Sequence, residues 1–195
     1  MEIKKDLHSY IVCFDNVMPE EILKSFEKIC RDSKKFKIAN IVYSGTKTRT
    51  VDEKIRKTAS WCLSNHSKDS LTEVHWTNFF INIFRTFIAD YQKIINSHQS
   101  CEINDIQVLK YGKGGHYKFH TDHNLNIPRE FSCIFLTNDN YEGGELVFKY
   151  PNSEDTTKID KKKNRIIIWP SNFLYPHSVF PVTKGERYSV VAWAS

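Results

Sequence analysis

The chain has 195 residues, 40% hydrophobic and 26% charged, which is enough for one folded domain with a sizeable core and excludes a disordered protein. Its net charge of +5 is spread along the sequence, and we interpret the densest basic cluster, 160–165, as a solvated turn, so nucleic acid is not the expected partner. No apolar run reaches the length of a membrane span and no secretory signal is recognisable, which excludes membrane and exported proteins. The five cysteines include no CxxC pair, and free thiols favour a cytoplasmic protein.

The first half of the chain predicts two helices joined through a polar segment. The first helix begins near Pro19, with Asn16 as its cap, and apolar residues follow at helical spacing. The second covers about 71–96, where apolar residues three and four apart form one broad face that should pack on something large and flat. Between the helices, 43–53 is polar without a clean period and predicts a loop. We expect the region 43–57 to become ordered over a bound substrate.

After residue 100 the sequence predicts short strands separated by turn residues. Seven segments have this character: 103–111, 116–120, 131–136, 144–149, 165–169, 177–182 and 187–193. Strands at this spacing favour an antiparallel sandwich or a jelly roll, with the helices covering one outer face. We therefore expect one α+β domain over 1–195, with mostly helical support in 1–100 and the β core in 101–195.

The candidate metal ligands are His120, Asp122 and His177. His120 and Asp122 are two residues apart, so in a strand both side chains point to the same side. A histidine from a distant strand would complete a set of two nitrogens and one carboxylate oxygen. With open positions opposite, this set is the facial triad of non-haem Fe(II) oxygenases, although the ligands alone suit zinc equally well. The His-x-Asp spacing by itself is a weak signal, because residues of such common types meet by chance.

Arg187 follows His177 by ten residues, and the Lys-Gly pair between them predicts a hairpin. A type I turn with Gly185 in the left-handed conformation sets a register in which His177 and Arg187 lie on one face. The distance between the guanidinium and the metal would then be roughly the length of a small dicarboxylic acid. Arginine is suited to gripping a carboxylate with two parallel hydrogen bonds.

Several stretches of the sequence form motifs in a fixed order. They are IVCFDNVMPEE at 11–21, DEKIRKTASW at 52–61, YGKGGHYKFHTD at 111–122, NYEGGELVF at 140–148 and the tail 176–193 with its histidine, arginine and tryptophan. In this order and spacing they resemble the iron(II)/2-oxoglutarate-dependent dioxygenase superfamily, in its small prolyl 4-hydroxylase-like form of bacteria and viruses. The resemblance covers nearly the whole chain.

The resemblance implies a double-stranded β-helix, or jelly roll, in which His120, Asp122 and His177 hold Fe(II) and Arg187 binds the distal carboxylate of 2-oxoglutarate. O2 is then the third reactant, succinate and CO2 are released, and ascorbate is allowed as a further cofactor. The implied reaction is hydroxylation of a protein or peptide side chain, proline first. Two alternatives stay open: the same chemistry on a small molecule or a nucleic-acid methyl group, and a catalytically silent jelly-roll binding module.

The resemblance also places Tyr111, Tyr117 and Trp193 in the cofactor pocket and makes Arg56 a substrate contact. Tyr117 lies three residues before His120, so a regular strand would turn its side chain away, unless the preceding glycines permit an irregularity. For Tyr117 and Trp193 a place in the ordinary core is equally open.

Two positions depart from the resemblance. Arg187 stands where collagen-type prolyl hydroxylases usually carry lysine, which is closer to small bacterial and oxygen-sensing members. Leu146 stands where many relatives carry threonine after Gly-Gly-Glu. Both departures leave the reaction class intact and the substrate open.

Overall fold

A computed structural model describes residues 6–42, 49–64, 70–124 and 128–195. In these ranges the chain forms two long helices, α1 (Glu20–Asp32) and α2 (Leu71–Ile95), and a short 3-10 helix, Leu7–Tyr10. Sixteen short strands accompany them in the same ranges: β1 (Val12–Asp15), β2 (Lys37–Ile38), β3 (Ile41–Val42), β4 (Arg49–Thr50), β5 (Arg56–Lys57), β6 (Ala59–Cys62), β7 (Ile103–Tyr111), β8 (His116–His120), β9 (Phe131–Leu136), β10 (Glu142–Gly143), β11 (Leu146–Lys149), β12 (Thr156–Ile159), β13 (Arg165–Pro170), β14 (His177–Val179), β15 (Val182–Lys184) and β16 (Arg187–Ala194).

Two antiparallel sheets form the centre of the fold. The major sheet has seven strands in the order β1-β13-β9-β16-β7-β6-β2, and the minor sheet has five in the order β12-β11-β14-β8-β5. Two-stranded pairs, β10 with β15 and β3 with β4, accompany them. The predicted α+β fold of short antiparallel strands is therefore confirmed.

The major sheet is buried on both faces, which explains why β9 is apolar along most of its length. In β9, Cys133 and Phe135 face the helices, whereas Ile134 and Leu136 face the minor sheet. The strand β13 alternates in the same way. One apolar cluster thus lies under the helices and a second lies between the two sheets.

Helix α2 packs on the major sheet as its period predicts. Ser70 begins it, with a hydroxyl that accepts from the Glu73 backbone N–H, and Asn96 ends it in the left-handed conformation. Its large buried apolar residues recur every three or four positions: Trp76, Phe80, Phe84, Ile88 and Tyr91. No helix in the described part of the chain is long and apolar enough to cross a membrane.

The start of helix α1 differs from the prediction. Pro19, not Asn16, is the cap residue, and it makes no side-chain capping bond. Asn16 takes a left-handed backbone conformation with φ 56°. The chain entering the helix is instead held by Asn164, whose side chain bonds both the N–H and the carbonyl of Met18. The cap prediction was wrong because Asn164, which is distant in the sequence, holds the start of the helix, and a local sequence pattern does not reveal such a contact.

The first hundred residues hold more strands than predicted. Among the described residues β1, β2 and β6 extend the major sheet, and β5 is the edge of the minor sheet. Each has only two to four residues, too short for a periodic signal. In the predicted loop 43–53, residues 43–48 lie outside the described residues, and β4 pairs antiparallel with β3.

The predicted hairpin between His177 and Arg187 was wrong. The strand β14 pairs with β8 and β11 in the minor sheet, whereas β16 pairs with β7 and β9 in the major sheet. The chain crosses from one sheet to the other between them. Gly185 is left-handed as predicted, with φ 79°. Both side chains are nevertheless buried, because each points into the space between the sheets.

Candidate metal centre

Strand pairing brings the three candidate ligands together. His120 ends β8 and His177 begins β14, and the two are directly opposed in the antiparallel register. Asp122 follows two residues after His120. The Nε2 atom of His120 lies 3.6 Å from Asp122 Oδ1, and that of His177 lies 3.5 Å from Asp122 Oδ2. One ligand atom from each residue can be chosen so that all lie within 4.8 Å of one another.

Backbone carbonyls orient both imidazoles. His120 Nδ1 lies 2.8 Å from the Lys118 carbonyl oxygen, and His177 Nδ1 lies 3.1 Å from that of Tyr175. A carbonyl only accepts, so both Nδ1 atoms carry the proton and both Nε2 lone pairs face the cluster. This is the arrangement of metal-binding histidines.

The protonation states also suit a cation. Burial opposes ionisation of Asp122, but His177, His120 and Arg129 outweigh it and hold the pKa of this carboxyl below its usual range. Burial, assisted by His120, lowers the pKa of His177 to about 4. At neutral pH the cluster therefore presents a carboxylate and a neutral buried imidazole, the forms in which these groups bind metals.

Tyr117 lies against the cluster, contrary to the regular-strand expectation. Its ring stacks on His120 with 3.6 Å between centroids and 20° between planes. The register explains this, because His177 opposes His120 while Val179 opposes Tyr117, so that β8 has one residue more than β14. The resulting bulge changes the strand parity. Burial raises the pKa of Tyr117 to about 12, so the phenol stays neutral.

Arg187 is a buried guanidinium with free hydrogen-bonding capacity. It is 1% exposed, and Nη1 donates to Ser189 Oγ at 2.9 Å. Its Nε and Nη2 have no hydrogen-bond partner among the described residues. Tyr111, also 1% exposed, is its directly opposed partner on β7, with the ring 5.0 Å from Cζ. Two buried guanidinium nitrogens without an acceptor are costly, and an anionic ligand would satisfy them.

The glycine pair before β11 makes room for this guanidinium. Gly144 has φ 66°, and a Cβ placed there would lie 3.2 Å from Arg187 Cδ and 3.1 Å from Tyr141 Cε2. Burial raises the pKa of Tyr141, while the neighbouring Arg187 opposes the rise. Sequence reasoning missed Tyr141 and gave Gly144 no role of its own. For Gly144 a sequence signal was available, because a Gly-Gly pair indicates a left-handed backbone conformation.

Trp193 supports a residue that sequence reasoning did not find. The guanidinium of Arg129 lies 3.7 Å above the Trp193 ring. Its Nη1 donates to the Asp122 carbonyl at 3.3 Å and lies 3.8 Å from Asp122 Oδ1. The contact that the structure shows for Trp193 therefore connects it with the ligand cluster. A single arginine that follows a proline carries no pattern that predicts this position.

A second missed residue bonds the carboxylate directly. Ser132 Oγ donates to Asp122 Oδ2 at 2.7 Å and lies 2.7 Å from Ser171 Oγ. Both serines are 1% exposed. Isolated serines in an apolar strand and in a turn gave no sequence signal.

Arg56 is separated from the cluster by the Tyr117 ring, which stacks on His120. Its guanidinium carbon is 4.7 Å from the centre of the Tyr117 ring, and Nη1 donates to the Asn40 carbonyl at 3.2 Å. Its Nε is buried without a partner among the described residues. The pairing of β5 with β8, in which Arg56 opposes Tyr117, fixes this position.

Two solved structures show the class of fold. A prolyl-4-hydroxylase of Pseudomonas putida superposes with a TM-score of 0.71 at 15% identity, covering 94% of this chain and 91% of that one. A prolyl hydroxylase of Trichoplax adhaerens, in complex with a hypoxia inducible factor peptide fragment, gives 0.69 at 17% identity, covering 95% and 83%. The predicted double-stranded β-helix, supported by helices, is confirmed.

Sequence comparison agrees with the fold. Residues 106–195 match the model of the 2OG-Fe(II) oxygenase superfamily, a segment that contains the whole ligand cluster and Arg187. A PKHD-type hydroxylase of Prochlorococcus marinus is 35% identical over 96 residues, which cover 49% of this chain and 41% of the relative. The chain spans less than half the length of the first curated relatives it matches. It resembles the iron(II)/2-oxoglutarate-dependent dioxygenase superfamily, in its prolyl hydroxylase-like form, and this superfamily implies Fe(II), 2-oxoglutarate and O2 as cofactors.

Proposed function

We propose that the chain is an Fe(II)- and 2-oxoglutarate-dependent oxygenase that hydroxylates a protein or peptide side chain, proline first. One observation carries the proposal: a two-histidine, one-carboxylate cluster shares the space between the sheets with the buried guanidinium of Arg187, whose Nε and Nη2 have no hydrogen-bond partner among the described residues. A site for a metal and a site for a carboxylate are thus built next to each other. A chelating 2-oxo diacid is the kind of ligand that engages both.

The donor set fits Fe(II). His120, Asp122 and His177 would hold the ion through two neutral imidazole nitrogens and one carboxylate oxygen, leaving the remaining positions open. These ligands alone would also accept zinc. The buried Arg187 favours Fe(II) with 2-oxoglutarate, because its Nε and Nη2 can bind one carboxylate of a diacid whose other end chelates the metal.

Arg187 would bind the distal carboxylate of 2-oxoglutarate through Nε and Nη2, with the Tyr111 ring covering it. When bound, Fe(II), 2-oxoglutarate and O2 supply the oxidation and release succinate and CO2. The chain's own residues bind, orient and exclude water, and Asp122 stays ionised throughout. No side chain has to act as a general acid or base.

The substrate would approach along Arg56 and Tyr117. Arg56 lies on β5, the edge strand of the minor sheet, beside the ring that stacks on His120. A peptide is supported as substrate because the Trichoplax neighbour was solved with a peptide fragment. The overall charge of +5 is the one feature that favours nucleic acid as substrate, but the basic residues are spread along the sequence.

We further propose that 1–195 acts as one domain in a reducing, cytoplasmic environment. The helices and the major sheet share one apolar cluster, and the two sheets share the second. None of the five cysteines, all of which lie within the described residues, forms a disulfide.

Turnover with product analysis tests the function. The purified chain, given Fe(II), 2-oxoglutarate, ascorbate and O2, should form succinate, and proline-containing peptides should raise the rate and gain one oxygen atom by mass. His120→Ala should abolish both signals, whereas His98→Ala, at an exposed position, should retain them. No succinate from the unchanged protein would support a silent binding module, and loss of methyl from methylated oligonucleotides would move the substrate to nucleic acid.

A further inference from the structure

We propose that Ser132 is a positioning residue for Asp122, oriented in turn by Ser171. The inference rests on the proposed function, because it takes Asp122 as a metal ligand. The three side chains form a continuous chain: 2.7 Å separates Ser132 Oγ from Asp122 Oδ2, and 2.7 Å separates it from Ser171 Oγ.

The direction of this chain follows from counting protons. An ionised carboxylate only accepts, so the single hydroxyl proton of Ser132 is donated to Asp122. Ser132 can then only accept from Ser171, whose hydroxyl must donate to it. Hydrogen bonds aligned head to tail in a buried setting polarise and strengthen one another.

Backbone contacts fix the far end of the chain. Ser171 donates its N–H to the Glu130 carbonyl at 2.9 Å, and its own carbonyl accepts from His123 N–H at 3.1 Å. Ser132 lies within β9, an interior strand of the major sheet. The carboxylate is therefore tied to the rigid centre of the major sheet.

Ser132 belongs to a cross-strand row that supports the cluster at several points. Its directly opposed partners are Trp169 on β13 and Trp193 on β16. Trp169 packs edge-on against His177, with 4.9 Å between ring centroids, and Trp193 carries Arg129. The two histidines come from the minor sheet, whereas Ser132, Trp169 and Trp193 lie on the major sheet, which contributes none of the three candidate ligands.

Ser132 and Arg129 pull on different oxygens of the same carboxylate. Arg129 Nη1 is 3.8 Å from Oδ1, while Ser132 holds Oδ2. Without the serine hydroxyl, the carboxylate can rotate toward the guanidinium and away from the two histidine nitrogens. Metal binding would then have to reorder it, and affinity falls.

Cobalt(II) binding to the metal-free protein tests this without turnover. Ser132→Ala should raise the Kd for Co(II) about tenfold or more and change the visible spectrum of the bound ion. Ser171→Ala, which removes the outer link, should raise it about threefold. The double variant should bind no more weakly than Ser132→Ala alone, because Ser171 acts through Ser132.

Ser178→Ala is the matched control. Ser178 is a buried strand serine, 2% exposed, whose hydroxyl has no hydrogen-bond partner among the described residues. This variant should leave the Kd and the spectrum unchanged. Thermal unfolding of each metal-free variant shows whether it is folded.

The outcomes separate the two proposals. If the unchanged protein does not bind Co(II), the proposed function fails and this inference fails with it. If it binds, and Ser132→Ala binds with the same Kd and spectrum, the positioning role is overturned while the proposed function stands. If Ser132→Ala does not fold, Ser171→Ala decides alone: a weaker Kd supports the proposal and an unchanged one overturns it.

Discussion

The buried side chain of Arg187 lowers the stability of the ligand-free protein and would at the same time provide a binding site for a carboxylate. It is almost completely buried, and two of its guanidinium nitrogens, Nε and Nη2, have no acceptor among the described residues. A fold selected for stability alone would place an apolar residue there, since an unsatisfied buried donor costs about 1–3 kcal/mol. The cost is intelligible if a carboxylate ligand completes the site.

Arg187→Met should therefore stabilise the ligand-free protein by about 1–3 kcal/mol and remove 2-oxoglutarate binding. Chemical unfolding with and without 2-oxoglutarate measures both effects. Arg85→Met, at an exposed helical position, should change neither. A destabilised Arg187→Met protein that still binds 2-oxoglutarate would contradict this account of the guanidinium.

The buried histidine should make stability depend on pH. Because the pKa of His177 falls from 6.5 to about 4 on folding, the unfolded chain binds more protons between these values. Stability then rises with pH across this window, and about 3 kcal/mol present near neutrality is lost as pH falls to 4. The pKa of Asp122 is held below its usual range, so its contribution is lost only at still lower pH.

Unfolding of the metal-free protein between pH 4.5 and 7 measures this slope. His177→Gln should flatten it, whereas His98→Gln, at an exposed position, should leave it unchanged. A slope that persists in His177→Gln would assign the dependence to other groups.

At the scale of the elements, the strands were predictable but their partners were not. The strands 103–111, 116–120 and 131–136 have the predicted bounds, because turn residues flank each one. The strand β12 was missed, since its alternation is polar and partly exposed at the sheet edge. The hairpin to Arg187 failed because a local turn pattern does not say which sheet each arm joins.

The Gly-Gly turn before β11 shapes the pocket of Arg187. Gly144→Ala should weaken 2-oxoglutarate binding, because its Cβ would meet Arg187 and Tyr141 and the residue would remain strained at φ 66°. The backbone strain alone costs about 1–3 kcal/mol. Titration with 2-oxoglutarate gives the affinity, and unfolding gives the stability.

Gly112→Ala is the matched control, since nothing lies within 4 Å of a Cβ at that position and its φ is not left-handed. It should leave the affinity for 2-oxoglutarate unchanged. Equal affinities for both variants and the unchanged protein would show that Gly144 does not shape the pocket.

For the whole molecule, the sequence predicted three candidate ligands but not the residues that contact them. His120, Asp122 and His177 were predicted as candidate ligands from their spacing and from the family resemblance, and the structure brings them together. Ser132 and Arg129 were not predicted, because their role depends on cross-strand register and on contacts between distant segments. For Tyr117 the resemblance predicted a place in the pocket, whereas regular strand alternation predicted that its side chain points away. A bulge in β8 changes the alternation and turns the side chain toward the cluster.

The same architecture separates stability from chemistry. The apolar cluster under the helices, here called the helix cluster, lies on one face of the major sheet, and the candidate ligands His120, Asp122 and His177, here called the metal cluster, lie on the other. Phe80 on α2 is fully buried against Phe26, Phe84 and Phe135. Phe80→Ala should cost about 3–5 kcal/mol of unfolding free energy while leaving the Kd for Co(II) of the folded protein unchanged. Phe173→Ala, at a side chain that is 75% exposed, should cost little by comparison. Chemical unfolding and Co(II) titration well below the melting temperature measure the two quantities independently. A weakened Kd in folded Phe80→Ala would show that the helix cluster and the metal cluster are coupled through the sheet.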